Sequence, residues 1–455
     1  NLRRMRCLTV IVFIILMDVK RRYFSFPGKR HNNKKGIKMK PSYEKNKPIS
    51  RLTRRGFLGA TAGIGSLALA DNKLFAETIS SVYPARQIDE IHGWGSRPGM
   101  VSIGFNENPY GPSPRAIRAV TDSIMDVNRY DFVAYTNLEN AIGDHLGLEK
   151  DQNPAFGANP LFGRSLYPVY VEGGSSFILN QVTMLYGVKN GAGEIIEIDP
   201  GYGGVTRAAM TLRSQFGAEI KIKRIPTTSK FVHDLKAMEE AITDDTTLVV
   251  ITNPNNPTGT LLSYQELERF INTIPSHVTL LIDEAYIDFV REENYETGVS
   301  LSQKYNNVIV TRTFSKMYGL AAMRIGYAVA NKSIISDLRA SGNSWGLPSI
   351  NCYAAAAALK DLSFTRQVKR LTDETKDYFY RELDMLGLSY IPSHSSFVLV
   401  NVAEDAQAFQ KKLMEKNVRV RAYNNDAIKN YIRVTLGTLD EMQVTVAVMK
   451  DVLKA

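Results

Sequence analysis

One lysine stands where its side chain could do covalent chemistry. Lys316 lies in Ser315-Lys316-Met317-Tyr318-Gly319-Leu320-Ala321-Ala322-Met323-Arg324-Ile325-Gly326, with a hydroxyl directly before it and a guanidinium eight residues after it. A primary amine attacks an aldehyde once it has lost its proton, and partial burial beside cationic groups lowers a lysine pKa enough for that. Ser315 and Arg324 could hold an anion close to this amine, one through a hydroxyl and the other through charge-assisted pairing. Two further segments are ordinary when read alone. Asp283, in Ile282-Asp283-Glu284-Ala285-Tyr286, could be a helix cap, and Asn253-Pro254-Asn255-Asn256-Pro257-Thr258-Gly259 could be a turn. What lifts the second is its spacing, with Asn256 27 residues before Asp283 and 60 before Lys316. Gly173-Gly174-Ser175 falls between a strand-like and a helix-like run, where backbone N–H groups at a helix start can receive phosphate. Arg421 and Arg433 add guanidinium groups that suit planar or tetrahedral oxyanions equally, so they do not name a substrate.

These residues need a scaffold that brings them together. From residue 97 onward, short β-branched runs alternate with helical patterns: Val169 to Val171, Ile195 to Ile198, Leu248 to Thr252, Val278 to Ile282, Val308 to Thr311 and Ile325 to Ala330. Most are nearly continuous in apolar residues, as strands buried on both faces are, so the reading is an α/β protein with a mainly parallel sheet covered by helices. Ligands of such sheets sit outside the carboxyl ends of the strands. Gly173-Gly174-Ser175, Asn253 to Gly259, Asp283 and Ser315-Lys316 all follow or close one of these runs. After about residue 340 the pattern changes to helices over Cys352 to Leu359 and Phe364 to Leu386, then strands over Ser396 to Val402 and Tyr431 to Leu436. The expected division is a leader at 1–70, an N-terminal arm and part of a small domain at 71–130, a large domain at 131–340, and a small α+β domain at 341–455. Residues 152–164 read as a loop.

In this order the motifs resemble the fold-type I aminotransferases that use pyridoxal 5'-phosphate, most closely the histidinol-phosphate aminotransferase branch. The resemblance runs from about Asn106 to Gly437. It implies a large domain with a seven-stranded sheet and assigns roles residue by residue. Lys316 is the lysine that carries the cofactor, and Ser315 and Arg324 are phosphate ligands, joined by Gly174 and Ser175. Asp283 faces the pyridine nitrogen and keeps it protonated, so that the ring can accept electrons from the substrate. Asn256 and Tyr286 bond the phenolic oxygen, and Tyr202 stacks on the ring. Tyr130, in Asn128-Arg129-Tyr130, resembles a tyrosine that reaches the phosphate from a partner subunit, which implies a homodimer; the proline that normally follows is Asp131 here. The acids usual after Gly-Gly-Ser are replaced by Ser176-Phe177, so the polarity there differs. Tyr110, Arg421 and Arg433 are the implied substrate contacts.

The implied reaction moves an amino group from an amino acid or amino-phosphate donor to a 2-oxo acid, with Lys316 shuttling the α-proton. A decarboxylase on the same cofactor shell is the alternative, because the geometry that selects the breaking bond is not visible in sequence. A non-catalytic regulator of this fold would bring a nucleic-acid-binding module and salt-sensitive DNA binding. The charge distribution speaks against that. The net charge is +10, but residues 1–70 hold 17 Lys and Arg against 2 acids, so the remainder carries −5.

That basic leader looks like an address. Thr53-Arg54-Arg55-Gly56-Phe57-Leu58 resembles a twin-arginine export signal, followed by a mild apolar stretch too short to span a membrane and by Ala68-Leu69-Ala70, a small-x-small cleavage pattern. The expectation is export to the periplasm, with membrane contact only in transit; a cytoplasmic location is the alternative. Met39 is a candidate start. With only Cys7 and Cys352, the body cannot hold an internal disulfide, and the six histidines show no zinc-ligand spacing, so no metal is expected.

Overall fold

The computed structural model describes residues 99–151, 165–342 and 346–454. The leader, the arm before residue 99 and the 152–164 loop lie outside the described residues. The apolar runs form a seven-stranded sheet of β1 (Val169–Glu172), β2 (Ala192–Asp199), β3 (Glu219–Pro226), β4 (Thr246–Thr252), β5 (Thr279–Asp283), β6 (Val308–Thr313) and β7 (Gly326–Val329). Their order across the sheet is β1-β7-β6-β5-β4-β2-β3. The five strands from β6 to β3 are mutually parallel, and β7 is antiparallel to both neighbours. Leu248 to Ile251, Leu280 to Ile282 and Val308 to Val310 are buried on both faces, which is why they read as unbroken apolar runs.

One strand escapes that signal. In β3, Glu-Ile-Lys-Ile-Lys-Arg-Ile-Pro alternates isoleucine with charge, because this outermost strand turns one face to water. Lysines on an outer strand also discourage pairing with another chain.

The reversal of β7 positions the site. Its first residue, Gly326, pairs with Thr313 at the end of β6 and with Glu172 at the end of β1. Three chain ends therefore meet at one sheet edge, and Ser315, Lys316 and Arg324 all lie in the single connection between β6 and β7.

Beyond the sheet, the two expected helices are Ser349–Leu359 and Leu362–Met385. A four-stranded antiparallel sheet follows, made of β8 (Tyr390–Ile391), β9 (Phe397–Asn401), β10 (Arg421–Ala422) and β11 (Tyr431–Thr435) in the order β10-β11-β9-β8. Its core joins Val398, Val400, Ile432 and Val434 to Phe379, Leu383, Met442 and Val446. Val101 and Ile103 pack into the same core, and Val101–Ser102 pairs in parallel with Val418–Arg419. The chain between this contact and residue 114 is thus carried from the C-terminal sheet toward the edge where β6 ends.

Candidate active site

Lys316 leaves β6 in a tight turn closed by Gly319 N–H donating to Lys316 O at 3.1 Å and Leu320 N–H donating to Phe314 O at 3.1 Å. Gly319 has φ +68, and a Cβ there would come within 2.2 Å of Gly111 O, so the turn requires glycine. The Lys316 Nζ donates to Phe105 O at 3.0 Å and stands 5.7 Å from the Tyr286 ring centroid. Loss of solvent lowers this amine to about 8, Arg433 and Arg324 push the same way, and Tyr202 and Glu107 oppose them. An amine at that value is about one-tenth neutral at pH 7, roughly two hundred times more than an ordinary lysine, and that neutral form can act as nucleophile or base.

Asp283 ends β5 beside it. Its Oδ1 accepts from Thr311 Oγ1 at 3.1 Å, and the residue is buried. Burial pushes the carboxyl up to about 6, with Glu284 and Glu197 adding to the rise and the hydrogen bonds from Thr311 and Ala285 opposing it. Such a group gains from a cationic partner. Glu284, its neighbour in sequence, is committed elsewhere: Arg312 Nη2 lies 2.7 Å from its Oε2, and Gly298 N–H donates to its Oε1 at 2.6 Å.

An anion cradle lies on the other side of the lysine. The helix Ser175–Tyr186 begins after Gly174, at φ 95, with no side chain capping its first N–H groups. Arg324, itself at φ 52, donates from Nη1 to Ser315 Oγ at 3.3 Å. A Cβ on Gly174 would fall 2.5 Å from Arg324 Nη2, and one on Gly326 would fall 2.1 Å from Ser175 N. The two glycines thus let a guanidinium, a hydroxyl and a helix start crowd around one point, an arrangement that favours a phosphate.

The remaining walls are tied together. Tyr202 is held by Arg207, whose guanidinium lies 5.0 Å from the ring centroid and donates to Tyr202 O at 3.0 Å, and its hydroxyl lies 3.4 Å from Ser176 Oγ. The preceding turn is fixed by Asn255 Nδ2 donating to Pro200 O at 3.1 Å and by Gly203 N–H donating to Glu197 Oε1 at 3.0 Å. Asn256 accepts at Oδ1 from Arg433 Nη1 at 2.6 Å, while Arg433 Nη2 donates to Gly104 O at 2.8 Å. Tyr286 accepts at its hydroxyl from Asn106 Nδ2 at 2.8 Å. Burial holds the Tyr286 phenol above its usual range against the pull of Arg433 and Asn106.

The aminotransferase class I and II family profile matches residues 98–450. The chain belongs to that family. Among its curated relatives, the histidinol-phosphate aminotransferase of Moorella thermoacetica is 31% identical over 83% of this chain and 91% of its own length. Histidinol-phosphate aminotransferase 2 of Hydrogenovibrio crunogenus is 32% identical over 81% of this chain and 93% of its own. The solved histidinol-phosphate aminotransferase of Sinorhizobium meliloti, in complex with pyridoxal-5'-phosphate, shares the fold, with a TM-score of 0.70 at 23% identity over 90% of this chain and 98% of that one. As an aminotransferase, the chain works with pyridoxal 5'-phosphate, an amino donor and a 2-oxo acid. Its residues fit that cofactor: the glycine-lined cradle suits the phosphate, Asp283 suits a protonated ring nitrogen, Asn256 and Tyr286 suit a phenolic oxygen, and Lys316 suits an aldehyde.

Three of the residues named from sequence stand apart from this cluster. The Tyr110 hydroxyl bonds Thr375 on the helix Leu362–Met385, and burial pushes it up to about 12. That tyrosine braces its segment, and the nearby backbone and side chains of Phe105, Asn106 and Glu107 are what reach Lys316 and Tyr286. Arg421 is exposed on β10, directly opposite Arg433 in the antiparallel β10–β11 pair, with its guanidinium 5.9 Å from the Tyr423 ring centroid. Tyr130 is 82% exposed and stacks on Phe132 at 5.9 Å. Asn106, Gly104 and Tyr423 were not singled out from sequence. Asn106 lies 180 positions from its partner Tyr286, and no local pattern marks such a pair.

Proposed function

We propose that this aminotransferase acts on an amino donor bearing an oxyanion, in the manner of the histidinol-phosphate aminotransferases, with Lys316 as the acid and base that moves the α-proton. The observation that carries the reading is the Lys316 amine, lowered to about 8 and set among Asp283, Tyr286 and the Arg324 cradle. When bound, pyridoxal 5'-phosphate supplies an electron sink for the carbon that loses its hydrogen. The chain supplies the rest. Arg324, Ser315 and the start of the helix Ser175–Tyr186 grip the phosphate, Asp283 keeps the ring nitrogen protonated, and Asn256 and Tyr286 hold the phenolic oxygen. Once displaced, the Lys316 Nζ takes the α-proton and returns it. Following the cofactor's absorbance while amino acids and phosphorylated amines are added in turn tests this. A true donor shifts the band and yields a keto product, whereas carbon dioxide release without keto product would make the enzyme a decarboxylase.

The same reading covers assembly and address. Tyr130 is exposed together with Met125, Val127 and Ile124 on one stretch, an apolar surface suited to a second copy of the chain, whose cradle Tyr130 would then complete. Sedimentation at twice the mass of the processed chain is expected, and a monomer with full activity would refute it. The order of paired arginines, short apolar stretch and small-x-small pattern in residues 54–70 supports twin-arginine export to the periplasm. Replacing Arg54 and Arg55 with lysine is expected to leave the protein unprocessed in the cytoplasm, and unchanged periplasmic yield would count against this address.

A further inference from the structure

Tyr202 and Arg433 both act on the charge of Lys316, so the segments that carry them both border the amine. One pair of side chains ties these two segments together. Asp199 ends β2 and opens the turn to Tyr202. Its Oδ1 accepts from Arg224 Nη2 of β3 at 2.5 Å and from Asn425 Nδ2 at 2.8 Å. Asn425 belongs to the loop between β10 and β11, two residues after Tyr423. Its own Oδ1 accepts from Ala427 N–H at 2.9 Å, which turns the amide so that its donor faces Asp199.

This contact is no part of the cofactor's seat. The Tyr202 turn is fixed separately, by Asn255 at Pro200 O and by Glu197 at Gly203 N–H. Nor is the contact sealed from water, because the Asp199 and Arg224 side chains are 33% and 35% exposed. Exposed hydrogen bonds of this kind open at low cost. Arg224 lowers that cost further, since it leaves Asp199 with a partner when Asn425 departs. A bond that joins two walls of a site across 226 positions can therefore break and re-form while both sheets stay intact.

We propose that Asp199 and Asn425 form a latch that holds the Tyr202 turn and the 423–426 loop together on the substrate side of the site, which makes both of them positioning residues for amino transfer. This rests on the aminotransferase reading for what enters between the two walls. Asn425→Asp removes the donor, sets two carboxylates against each other and keeps an acceptor for Ala427 N–H. The double exchange of Asp199→Asn with Asn425→Asp restores one amide donor and one carboxylate, in the reverse direction.

The test uses the cofactor-loaded enzyme, its Asn425→Asp variant and the double exchange. The first readout is the rate at which borohydride fixes the cofactor to Lys316, which reports access to the site without any substrate. Asn425→Asp is expected to raise that rate about 5-fold, the size of one hydrogen bond to a charged group discounted for exposure, and the double exchange to return it to within about twofold of the wild type. With an active donor, KM should rise by a similar factor in Asn425→Asp while kcat changes less than about twofold. Fixation at the wild-type rate in Asn425→Asp overturns the proposal whatever KM does, and so does a double exchange that recovers nothing. Loss of cofactor alongside faster fixation overturns it too, since a loosened seat and not an opened wall would be the cause. If fixation responds as expected but no amine is converted by any of the three proteins, it is the substrate reading that fails and not the latch.

Discussion

Asp283→Asn is expected to give a cofactor-free protein more stable than the wild type at pH 7.5 and an enzyme slower by at least about 100-fold, as for loss of a strong preorganised electrostatic contact. Both effects come from one buried carboxylate that has no cationic partner among the described residues. Its pKa stands at about 6 against an ordinary 3.8. A carboxyl whose folded value is raised contributes stability below the unfolded pKa and loses it as pH rises through the folded one. The full penalty is therefore present above about pH 6, and at roughly 1.4 kcal/mol per unit it amounts to about 3 kcal/mol. The variant's advantage in melting temperature should be present at pH 7.5 and shrink toward pH 4. Pyridoxal 5'-phosphate should narrow it, because the protonated ring gives the wild-type carboxylate the partner that an amide cannot use. A variant that melts below the wild type at pH 7.5, or one that keeps wild-type turnover, would show that this acid does not face the ring.

Lys316→Ala is expected to reduce turnover by about 10⁴-fold or more, because it removes both the covalent attachment and the proton shuttle. Borohydride treatment with pyridoxal phosphate should label the wild type at this one side chain and leave the variant unlabelled. In the wild type, trapping should speed up as pH rises through about 8, where the amine becomes neutral, and level off above it. The phosphate cradle does not depend on the lysine, so the variant should still bind the cofactor noncovalently. Wild-type amino transfer by the variant would remove the basis for every role assigned to the site.

The parts of the site legible in sequence are those that travel in short strings. Ser315, Lys316 and Arg324 share one connection, and Asp283 and Tyr286 share another, so their chemical types and spacing survive in linear order. The strands of the sheet's centre were legible for a similar reason, since burial on both faces leaves an unbroken apolar run. What is not legible is contact across the fold. Arg433 meets Asn256 and Gly104 across 177 and 329 positions, and the Phe105 carbonyl reaches Lys316 across 211. A backbone carbonyl has no residue type to read. Tyr110 shows the converse: its motif marks the right segment, but packing turns that side chain toward Thr375 and leaves the neighbours to face the amine. The outer strand Glu219–Pro226 hides because charge and isoleucine alternate along it, a pattern set by its place at the margin of the sheet.

The backward-running β7 has a mechanical corollary. Because Lys316 and Arg324 ride the same hairpin, bending elsewhere in the protein cannot alter the separation between the reactive nitrogen and the phosphate grip. Of the groups that approach from the opposite side, Arg433 lies on β11 of the C-terminal sheet, Tyr423 directly follows β10, and Phe105 follows the short strand Val101–Ser102 that packs into the same core. A shift of that side relative to the hairpin would change the room left for the incoming amine without changing the spacing between the amine of Lys316 and the guanidinium of Arg324.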